Sequence, residues 1–421
     1  MVSSSITLKN QTILSINQFL NLYNEINRPD LEHILRLDFN LDYSVLERYF
    51  KSQRICPVIE VAKPTDAEEI SDIFKEMYQG TYPYKRMENT ESIAEMINDP
   101  NYYWFIFKLD SGEIVGAFGC HLELEEKRGF LYGFVIKKGY HKVIDIFKAF
   151  IGCAMFLWKK YQQQILIWYG EMRTNETSAQ FFTSIVGMKP VAFYPNKDLF
   201  YNKEESDILQ VIYDAEALTT LRKNEQPKII RQALNSYSYV NKRFKLGVPL
   251  VVNPKVNINK EKVSNIEDKI EIITEEEEYG NKWITILNKN SRSFIKFIYN
   301  PYSKNFEKTQ YQVECLEELH VFLNKINNLI KDMNLNYFEC FVSAYNAEHQ
   351  KIFDSFGFKP RGYVPSWIYN ANEKMFEDRI VFNYFKDELD KKMRIIPEVE
   401  ELLETLNIYK EDYLPEIERK Q

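Results

Sequence analysis

Short blocks of hydrophobic residues, separated by turn-forming residues, dominate the first half of the chain. The run Tyr102–Leu109 is aromatic and β-branched, Asp110–Gly112 supplies turn residues, and Ile114–Leu124 is a second apolar run. Two such runs joined by a short polar turn predict a β-hairpin. Val58–Ala62 and Gly129–Ile136 predict two further strands, one on either side of the hairpin.

Helical spacing of apolar residues marks the segments between these strands. Thr65 is followed three residues later by Glu68, a capping box that predicts the start of a helix. From Val143 to Trp158 the apolar residues fall on one helical face. This second helix leads into a predicted strand at Ile165–Glu171.

A mixed sheet follows from the order of these elements. A further short helix is predicted from about Thr177, and two closing strands lie around Pro190–Tyr194 and Asp207–Tyr213. Residues 58–214 therefore have the order β-α-α-β-β-β-α-β-α-β-β. Because a strand–helix–strand crossover pairs its strands in parallel, the predicted fold class is α/β with a mixed sheet.

The closing part of this pattern occurs twice. Asn175–Pro195 and Asn346–Pro365 align on Gly187 and Gly357, and each glycine is followed by Lys-Pro at the second and third positions. The offset is 170 residues, which is 357 minus 187. An ordered set of matches at one offset favours duplication over chance.

The predicted organisation includes a shorter second copy of the domain. Only Trp283–Leu287 and Phe294–Tyr299 give clear strand patterns before its helix, and the acidic run Glu275–Glu278 is interpreted as a solvated linker edge. The predicted parts are an N-terminal helical extension (1–55), a first domain (56–214), a helix and linker (215–280), a truncated second domain (281–385) and a helical C-terminal tail (386–421).

Composition excludes several classes of protein. The chain has 54 basic and 61 acidic residues, a formal net charge of −7, whereas proteins that neutralise many phosphates usually have a basic surplus. Nucleic acid is therefore not an expected partner. The five cysteines form no Cys-x-x-Cys pair and the histidines have no ligand spacing, so neither a disulfide framework nor a metal site is expected.

No targeting or membrane-spanning segment is expected either. The N-terminus lacks the basic start and apolar run of a signal peptide. The longest apolar stretch, Ala149–Trp158, is shorter than the roughly 20 residues that a spanning helix needs. The sequence therefore predicts a cytoplasmic protein without membrane partners, and it leaves the oligomeric state open.

Three segments carry a resemblance to a known family. They are the hairpin FKLDSGEIVGAFG, the strand–loop–helix segment GFLYGFVIKKGYHKVIDIFKAFIG, and the segment from Asn175 to Met188. Their order resembles that of the GNAT superfamily of N-acetyltransferases, over about residues 58–214 and, in part, 281–385. The resemblance implies two GNAT-like domains in tandem, of which the second is degenerate.

The resemblance implies acetyl-CoA as acyl donor, with no metal. In the family it lies where two parallel strands splay apart, and its pyrophosphate contacts backbone N–H groups at the start of the following helix. The corresponding residues here are Val135, Ile136, Lys137, Lys138, Tyr140, His141, Lys142, Val143, Asn175 and Phe182. The family's loop glycines are replaced within Tyr140–Asp145, and the three lysines could compensate the charge of Asp145.

The resemblance also implies a carboxylate that accepts the proton of the amine. Glu171, at the end of its predicted strand, is the first candidate, and Glu123 and Glu125 on the hairpin are the others.

A tyrosine of the family commonly protonates the leaving thiolate, but its position here holds Thr183. A threonine hydroxyl is no acid near neutral pH, so Tyr169 and Tyr140 are the candidate substitutes. Release of the thiolate without a protein acid is the other possibility.

The predicted function is transfer of an acetyl or related acyl group to a primary amine, in a small molecule or a lysine side chain. The net charge slightly favours cationic acceptors such as polyamines. The alternative is a catalytically inactive protein of the same fold that binds a ligand or a partner.

Overall fold

The computed structural model describes residues 55, 57–386, 388–389 and 393–408, without the side chains of residues 147, 148 and 185. The predicted N-terminal helical extension, apart from Ile55, and part of the predicted C-terminal tail lie outside the described residues. None of the described helices is long and apolar enough to cross a membrane.

Sixteen strands and ten α-helices are found in the described part of the chain. The strands are β1 Val58–Val61, β2 Tyr102–Lys108, β3 Ile114–Glu123, β4 Arg128–Ile136, β5 Ile167–Arg173, β6 Lys189–Phe200, β7 Lys203–Tyr213, β8 Lys228–Ile230, β9 Leu250–Val252, β10 Ile270–Glu276, β11 Lys282–Asn288, β12 Phe294–Asn300, β13 Asn305–Gln312, β14 Tyr337–Ser343, β15 Lys359–Asn370 and β16 Met375–Phe385. The helices are α1 Ala67–Tyr78, α2 Thr90–Asn98, α3 Ile146–Tyr161, α4 Ser178–Ile185, α5 Ala215–Leu218, α6 Leu234–Phe244, α7 Lys260–Glu267, α8 Leu316–Asp332, α9 Ala347–Ser355 and α10 Pro397–Thr405.

Two compact units are interleaved along the chain. The first contains the described residues up to Glu171, together with Ser178–Lys189 and Gln210–Thr219. The second contains Met172–Thr177, Pro190–Leu209 and the described residues from Thr220 onward. The domain boundaries predicted from the sequence remain a proposal.

The first unit contains a mixed sheet with the strand order β1-β2-β3-β4-β5-β7. β1 to β4 pair antiparallel in succession, and β4 pairs in parallel with β5. Gly112, with a φ of 88°, closes the predicted hairpin by donating its N–H to the Leu109 carbonyl at 2.9 Å. A β-turn that needs a positive φ favours glycine, so the predicted turn residues explain the hairpin.

Apolar residues of α3 hold this helix against the sheet. Ala149, Ile151, Ala154, Leu157 and Trp158 are fully buried in a core that also contains residues of β2, β3, β4 and β5. The predicted helical face is therefore buried within the helix, but the predicted start at Val143 is wrong, because the helix begins at Ile146 and Val143 is 39% exposed. At about 25 cal/mol per Å² of apolar surface, burial of this kind is the main term that stabilises the fold.

The second unit contains a sheet with the strand order β7-β6-β15-β16-β14-β13-β12-β11-β10. β10 to β13 pair antiparallel in succession and β13 pairs in parallel with β14. A separate two-stranded parallel sheet joins β8 and β9. The core of this unit includes Leu319, Phe322 and Ile326 of α8, which are fully buried.

More strands precede α8 than the two that the sequence predicts. β10 and β13 are the additional ones, and Glu275 of the acidic run interpreted as a linker edge lies on β10, opposite Trp283. That interpretation is corrected in part: residues Ile273–Glu276 are exposed to solvent, but they form a sheet edge. Exposed, charged side chains are a common means of protecting such an edge.

Candidate functional site

A gap opens between two neighbouring parallel strands of the first unit. The pairing of β4 with β5 covers three residue pairs: Arg128–Ile167, Gly129–Trp168 and Phe130–Tyr169. Beyond them, β4 continues to Ile136 beside β3, and β5 continues without pairing to β4 in the described structure. The gap therefore begins at Phe130 and Tyr169, between the two strands that the resemblance implies to splay apart.

A β-bulge shapes the β4 side of this gap. The register of β4 with β3 shifts between Ala117 and Gly119, so that Phe118 faces both Gly133 and Phe134. Gly133 has a φ of 64°, a conformation that glycine adopts at little cost. A bulge bends its strand and changes the direction of the following residues.

Past the bulge, one backbone N–H of β4 is directed into the gap. The Lys137 N–H donates to the Val115 carbonyl of β3 at 2.8 Å. Since successive residues of an antiparallel strand direct their backbone groups to opposite sides, the N–H of Ile136 is turned away from β3. The side chains of Val135 and Ile136 are 4% and 3% exposed. These two predicted cofactor residues could therefore contact a ligand through their backbone groups rather than through their side chains.

The loop that follows β4 carries two exposed lysines and an exposed histidine. Lys138, His141 and Lys142 are exposed, and none of them has a hydrogen-bond or ion-pair partner among the described residues. Val143 is 39% exposed. The loop thus offers positive charge to solvent at the start of α3.

Two other predicted cofactor residues of this loop bind a carboxylate. Lys137 Nζ lies 2.7 Å from Glu113 Oε1, and the Tyr140 hydroxyl donates to Glu113 Oε2 at 2.8 Å. These hydrogen bonds, that of Lys137 first, lower the pKa of Glu113 below its ordinary value. Glu113 therefore neutralises Lys137.

The backbone of the same loop pairs with Ile55. The Asp145 N–H donates to the Ile55 carbonyl at 2.8 Å, and the Ile55 N–H donates to the Val143 carbonyl at 2.9 Å. One of the N–H groups near the start of α3 is thus engaged within the chain.

A hydrogen-bonded cluster joins β3, β4 and β5 beside the gap. Glu123 accepts hydrogen bonds from the Tyr169 hydroxyl at 2.8 Å and from Arg128 Nε at 2.9 Å, and Arg128 Nη2 lies 2.7 Å away. Burial, and then the charge of Glu123, raise the pKa of Tyr169 well above its ordinary value. The sequence selects Glu123 and Tyr169 separately, and the structure brings them into contact.

Glu171 lies two positions beyond Tyr169 on β5, so both side chains point to the same face of the sheet. It is half-buried, and its charge contributes to the raised pKa of Tyr169. Trp168 points to the other face, where it is fully buried in the core with α3. Because side chains alternate along a strand, Trp168 does not share the face of Tyr169 and Glu171.

The remaining predicted residues lie on or near α4. Phe182 packs on Phe150 of α3, with ring centroids 6.4 Å apart. Thr183 is 2% exposed and its hydroxyl is bonded to the Ala179 carbonyl at 2.8 Å, so it is not available to a substrate. Asn175 belongs to the second unit, where its amide donates to Glu205 Oε1 at 3.0 Å.

The second unit has a gap of the same kind. β13 pairs with β14 over two residue pairs, Asn305–Tyr337 and Phe306–Phe338. β13 also has a bulge opposite Phe297, where Lys308 has a φ of 54°. The geometry of β3, β4 and β5 thus recurs in β12, β13 and β14.

Buried charges fill the start of this second gap. Glu307 and Glu339 follow the last paired residues and are 5% and 4% exposed. Lys197 Nζ of β6 lies 3.8 Å from a carboxylate oxygen of each. The Tyr337 hydroxyl donates to Glu339 at 2.8 Å.

Metal and thiol chemistry find no support in the described residues. No group of three or more His, Cys, Asp or Glu side chains is placed to hold a metal ion there. Cys120 and Cys153 are buried without disulfide partners, and burial raises the pKa of both thiols well above its ordinary value.

Sequence reasoning did not select three residues on the Tyr169 side of the sheet. Arg128 is missed because a basic residue at the start of a strand gives no signal of its own. Arg86 and Tyr102 are missed because their proximity depends on the pairing of β2 with β3 and on the turn between α1 and α2. The sequence signal that could have drawn attention to the turn between α1 and α2 is the tyrosine-rich segment Tyr78–Tyr84.

No family model matches this chain, and no curated protein matches it. N-acetyltransferases are among the solved structures that are similar to part of it. A ribosomal-protein-S5-alanine acetyltransferase from Vibrio fischeri is 10% identical, with 38% of this chain and 93% of that chain covered and a TM-score of 0.32. A spermidine N-acetyltransferase from Vibrio cholerae is 10% identical (39% and 96% covered, TM-score 0.32). An acetyltransferase of the GNAT family from Streptococcus pneumoniae is 15% identical (37% and 98% covered, TM-score 0.32).

Proposed function

We propose that the first unit binds an acyl-CoA thioester between β4 and β5 and transfers the acyl group to a primary amine. The observation that supports this is the end of β4–β5 pairing after three residue pairs, with the Ile136 N–H directed into the gap. A fixed backbone N–H can donate to the carbonyl oxygen of the thioester and stabilise the negative charge that develops there.

The exposed side chains of the loop would hold the phosphates of CoA. Lys138, His141 and Lys142 lie in the loop that precedes α3, without acidic partners among the described residues. The residues present therefore fit a polyanionic ligand. Positive side chains at a helix N-terminus attract such a ligand, and the helix dipole adds to this attraction.

Glu171 is the proposed proton acceptor. In the reaction the amine nitrogen forms a bond to the acyl carbon, the carbon–sulfur bond breaks, and the nitrogen loses one proton to Glu171. Glu123 is less suited to this role, because Arg128 and Tyr169 already donate to its oxygens. A correctly placed base contributes about 10²- to 10⁴-fold to such a rate.

We propose that neither candidate tyrosine protonates the thiolate. The hydroxyl of Tyr169 donates to Glu123 and that of Tyr140 donates to Glu113. The thiolate that leaves would therefore take its proton from solvent, and Tyr169 and Glu123 would position the strands around the gap.

The second unit is proposed as a tandem copy without transfer activity. Its equivalent gap begins with Lys197, Glu307 and Glu339, whose charged groups occupy the place next to the last paired residues. Burying these groups is costly unless they remain paired. A thioester would have to separate them.

Ligand binding without turnover is the second candidate function. The pairing of Ile55 with Val143 and Asp145 favours it, since that pairing engages loop backbone that would otherwise face a phosphate. The two candidates differ in whether an amine is consumed.

Titration of the full chain with acetyl-CoA, followed by thermal unfolding, tests binding. A ligand that binds only the folded state stabilises it by RT ln(1 + [L]/Kd), about 2.7 kcal/mol at 100 times Kd. A saturable rise of the midpoint supports the proposal. No rise at millimolar acetyl-CoA contradicts it.

An amine panel with detection of the released thiol tests transfer. The Glu171→Gln variant should lower kcat at least 100-fold without changing the Kd for acetyl-CoA. Glu95→Gln is the matched control, because Glu95 is an exposed carboxylate on α2 of the same unit. Binding without turnover on any amine would favour the second candidate, and equal activity of both variants would remove Glu171 from the mechanism.

A further inference from the structure

An aromatic row runs along the α1–α2 side of the first unit's sheet and ends at the gap. Tyr169 stacks on Phe130 with centroids 4.9 Å apart, Phe130 stacks on Tyr132 at 5.5 Å, and Tyr132 meets the edge of Tyr102 at 6.4 Å. The Tyr132 hydroxyl lies 3.7 Å from the sulfur of Met96 on α2, which fixes the row on this side. These four rings are called the aromatic row below.

Arg86 lies at the far end of the aromatic row. It is in the short 3-10 turn Lys85–Glu88 between α1 and α2. Its Nη1 donates to the Tyr102 hydroxyl at 3.4 Å, and its guanidinium carbon is 5.6 Å from the centre of the Tyr102 ring. Arg86 therefore contacts the ring that is farthest from Tyr169.

Arg86 has no acidic partner among the residues that the structure describes. The adjacent Lys85 pairs with Glu88 at 3.1 Å, and Arg128 pairs with Glu123, whereas no such pair includes Arg86. Its Nε is buried and has no hydrogen-bond partner in the described structure. Burial also raises the pKa of Tyr132 well above its ordinary value, and the charge of Arg86 opposes that shift.

A buried guanidinium N–H without a partner is unfavourable, and an anion that accepted a hydrogen bond from it would remove this cost. Nε and a neighbouring Nη of arginine form a planar fork that fits a carboxylate with two parallel hydrogen bonds. Lysine does not offer this geometry. The arrangement therefore suits a planar anion.

We propose that Arg86 binds a carboxylate of the amine acceptor, and that the acceptor carries its amine and its carboxylate at opposite ends of an uncharged spacer. This rests on the proposed function, since the amine end is placed at Glu171. The spacer lies along the aromatic row. Short peptides, with an N-terminal amine and a C-terminal carboxylate, and ω-amino acids share this chemistry.

Isothermal titration of the full chain, without acyl-CoA, tests the carboxylate contact by itself. The probes are triglycine and triglycine amide for peptides, and 6-aminohexanoate and its amide for ω-amino acids. Each acid should bind at least tenfold more tightly than its amide, and the pair with the larger ratio identifies the source. Equal affinity of acid and amide in both pairs would overturn the proposal.

Arg86→Met should remove the preference, so that acid and amide bind equally weakly. Arg86→Lys should restore only a small part of it, because a point charge replaces the fork. Lys85→Met is the matched control in the same turn and should retain the preference. If Lys85→Met loses the preference as Arg86→Met does, general charge rather than Arg86 is responsible.

Kinetics then separate this proposal from the proposed function. With a substrate acid, Arg86→Met should raise KM at least tenfold and leave kcat and the acetyl-CoA Kd unchanged, while the matched amide shows no change. If the unmodified chain does not bind acetyl-CoA, the proposed function is refuted. The titration with acids and amides, which contains no acyl-CoA, still decides the role of Arg86. If Arg86→Met weakens the binding of the acid and of its amide by the same factor, Arg86 does not contact the carboxylate and the proposal is overturned.

Discussion

Both candidate carboxylates of the first unit act on one tyrosine. Glu123 accepts hydrogen bonds from Tyr169 and Arg128, and the charge of Glu171 contributes to the raised pKa of Tyr169. Strand-end carboxylates are therefore better judged by their neighbours in three dimensions than by their position in the sequence alone.

Glu113→Gln is expected to strengthen binding of acetyl-CoA. Its carboxylate neutralises Lys137 at 2.7 Å, next to the loop that would hold phosphates. Removing one negative charge there should lower Kd about threefold at low salt, and less at high salt because exposed charges are screened. Titrations at two ionic strengths, with Glu95→Gln as control, provide the measurement. An unchanged or higher Kd would show that Lys137 does not contact the ligand.

His349 is expected to make the stability of the second unit depend on pH. Burial first, and then the charge of Arg379, lower the pKa of His349 to about 4, and Tyr311 lies 3.1 Å from its Nδ1. The unfolded chain, with a histidine pKa of about 6.5, binds this proton at a higher pH than the folded chain. Stability should therefore fall as the pH decreases from about 6.5 to about 4, by about 1–2 kcal/mol at pH 5.

Urea unfolding at pH 7 and pH 5 tests this expectation. The loss between the two values should be smaller by about that amount in His349→Gln, which cannot take up the proton. The same loss in both proteins would mean that another group is responsible.

The sequence selects single residues by their chemistry and position, but it does not show which of them form pairs. Glu171 and Tyr169 are selected from their place at the end of an apolar strand. The bond between Tyr169 and Glu123 joins residues 46 positions apart, and it depends on the order of β3, β4 and β5. Arg86 gave no signal, because what distinguishes it is that it has no acidic partner among the described residues.

At the scale of elements, a bulge lies two or three residues beyond the start of the gap in both units. Gly133 and Lys308 have φ values of 64° and 54°, opposite Phe118 and Phe297. A bulge re-aims the residues that follow it, and such bulges are common next to functional sites. In the first unit the residue that is re-aimed is Ile136.

Gly133→Ala should weaken acetyl-CoA binding at least tenfold. A Cβ at Gly133 would lie 3.2 Å from the Trp104 ring, and a positive φ is unfavourable for alanine. We expect a loss of about 1–2 kcal/mol in stability as well. Gly112→Ala is the matched control, since its φ is 88° and no atom lies within 4 Å of the new Cβ.

Thermal unfolding and acetyl-CoA titration of both variants provide the comparison. Both should lose stability, and only Gly133→Ala should lose binding. A parallel loss of binding in Gly112→Ala would mean that stability, rather than the bulge, controls the gap.

Elements with clear apolar patterns were predicted, and polar strands were not. The hairpin of β2 and β3 and the face of α3 follow from alternation and helical spacing. β13 has the sequence NFEKTQYQ, whose buried positions include Asn305, Glu307 and Thr309. The usual strand pattern alternates buried apolar residues with exposed polar ones. Because polar residues occupy buried positions here, the sequence does not predict this strand.

At the scale of the whole molecule, the compact units do not follow chain order. β6 lies in the second unit from Pro190 onward, and its Ala192 pairs with Gly362 of β15 in that unit. The sequence predicts contiguous domains because composition shows no sign of which strand a segment will pair with. Strand pairing over long separations is a tertiary property.

A fragment of residues 57–219 is therefore expected to fold poorly by itself. It retains β6 but lacks β15, so that β6 has an unpaired edge, which favours aggregation. Soluble yield and the cooperativity of thermal unfolding are the measurements. The matched control is the full chain cut after folding at a protease site inserted within residues 253–259, and this nicked protein should keep its transition. A fragment with a transition like that of the full chain would contradict the expectation.

The separation of Ala192 and Gly362 in the sequence also sets the time that β6 must wait for β15 during synthesis. The two positions are 170 residues apart, which is 362 minus 192. At about 5–20 residues per second, a ribosome needs roughly 10 to 30 seconds to make the partner strand after β6 has been synthesised. For that period β6 is a strand without its neighbour, and cells that slow translation or lack chaperones should accumulate this protein as aggregates before its own stability becomes relevant.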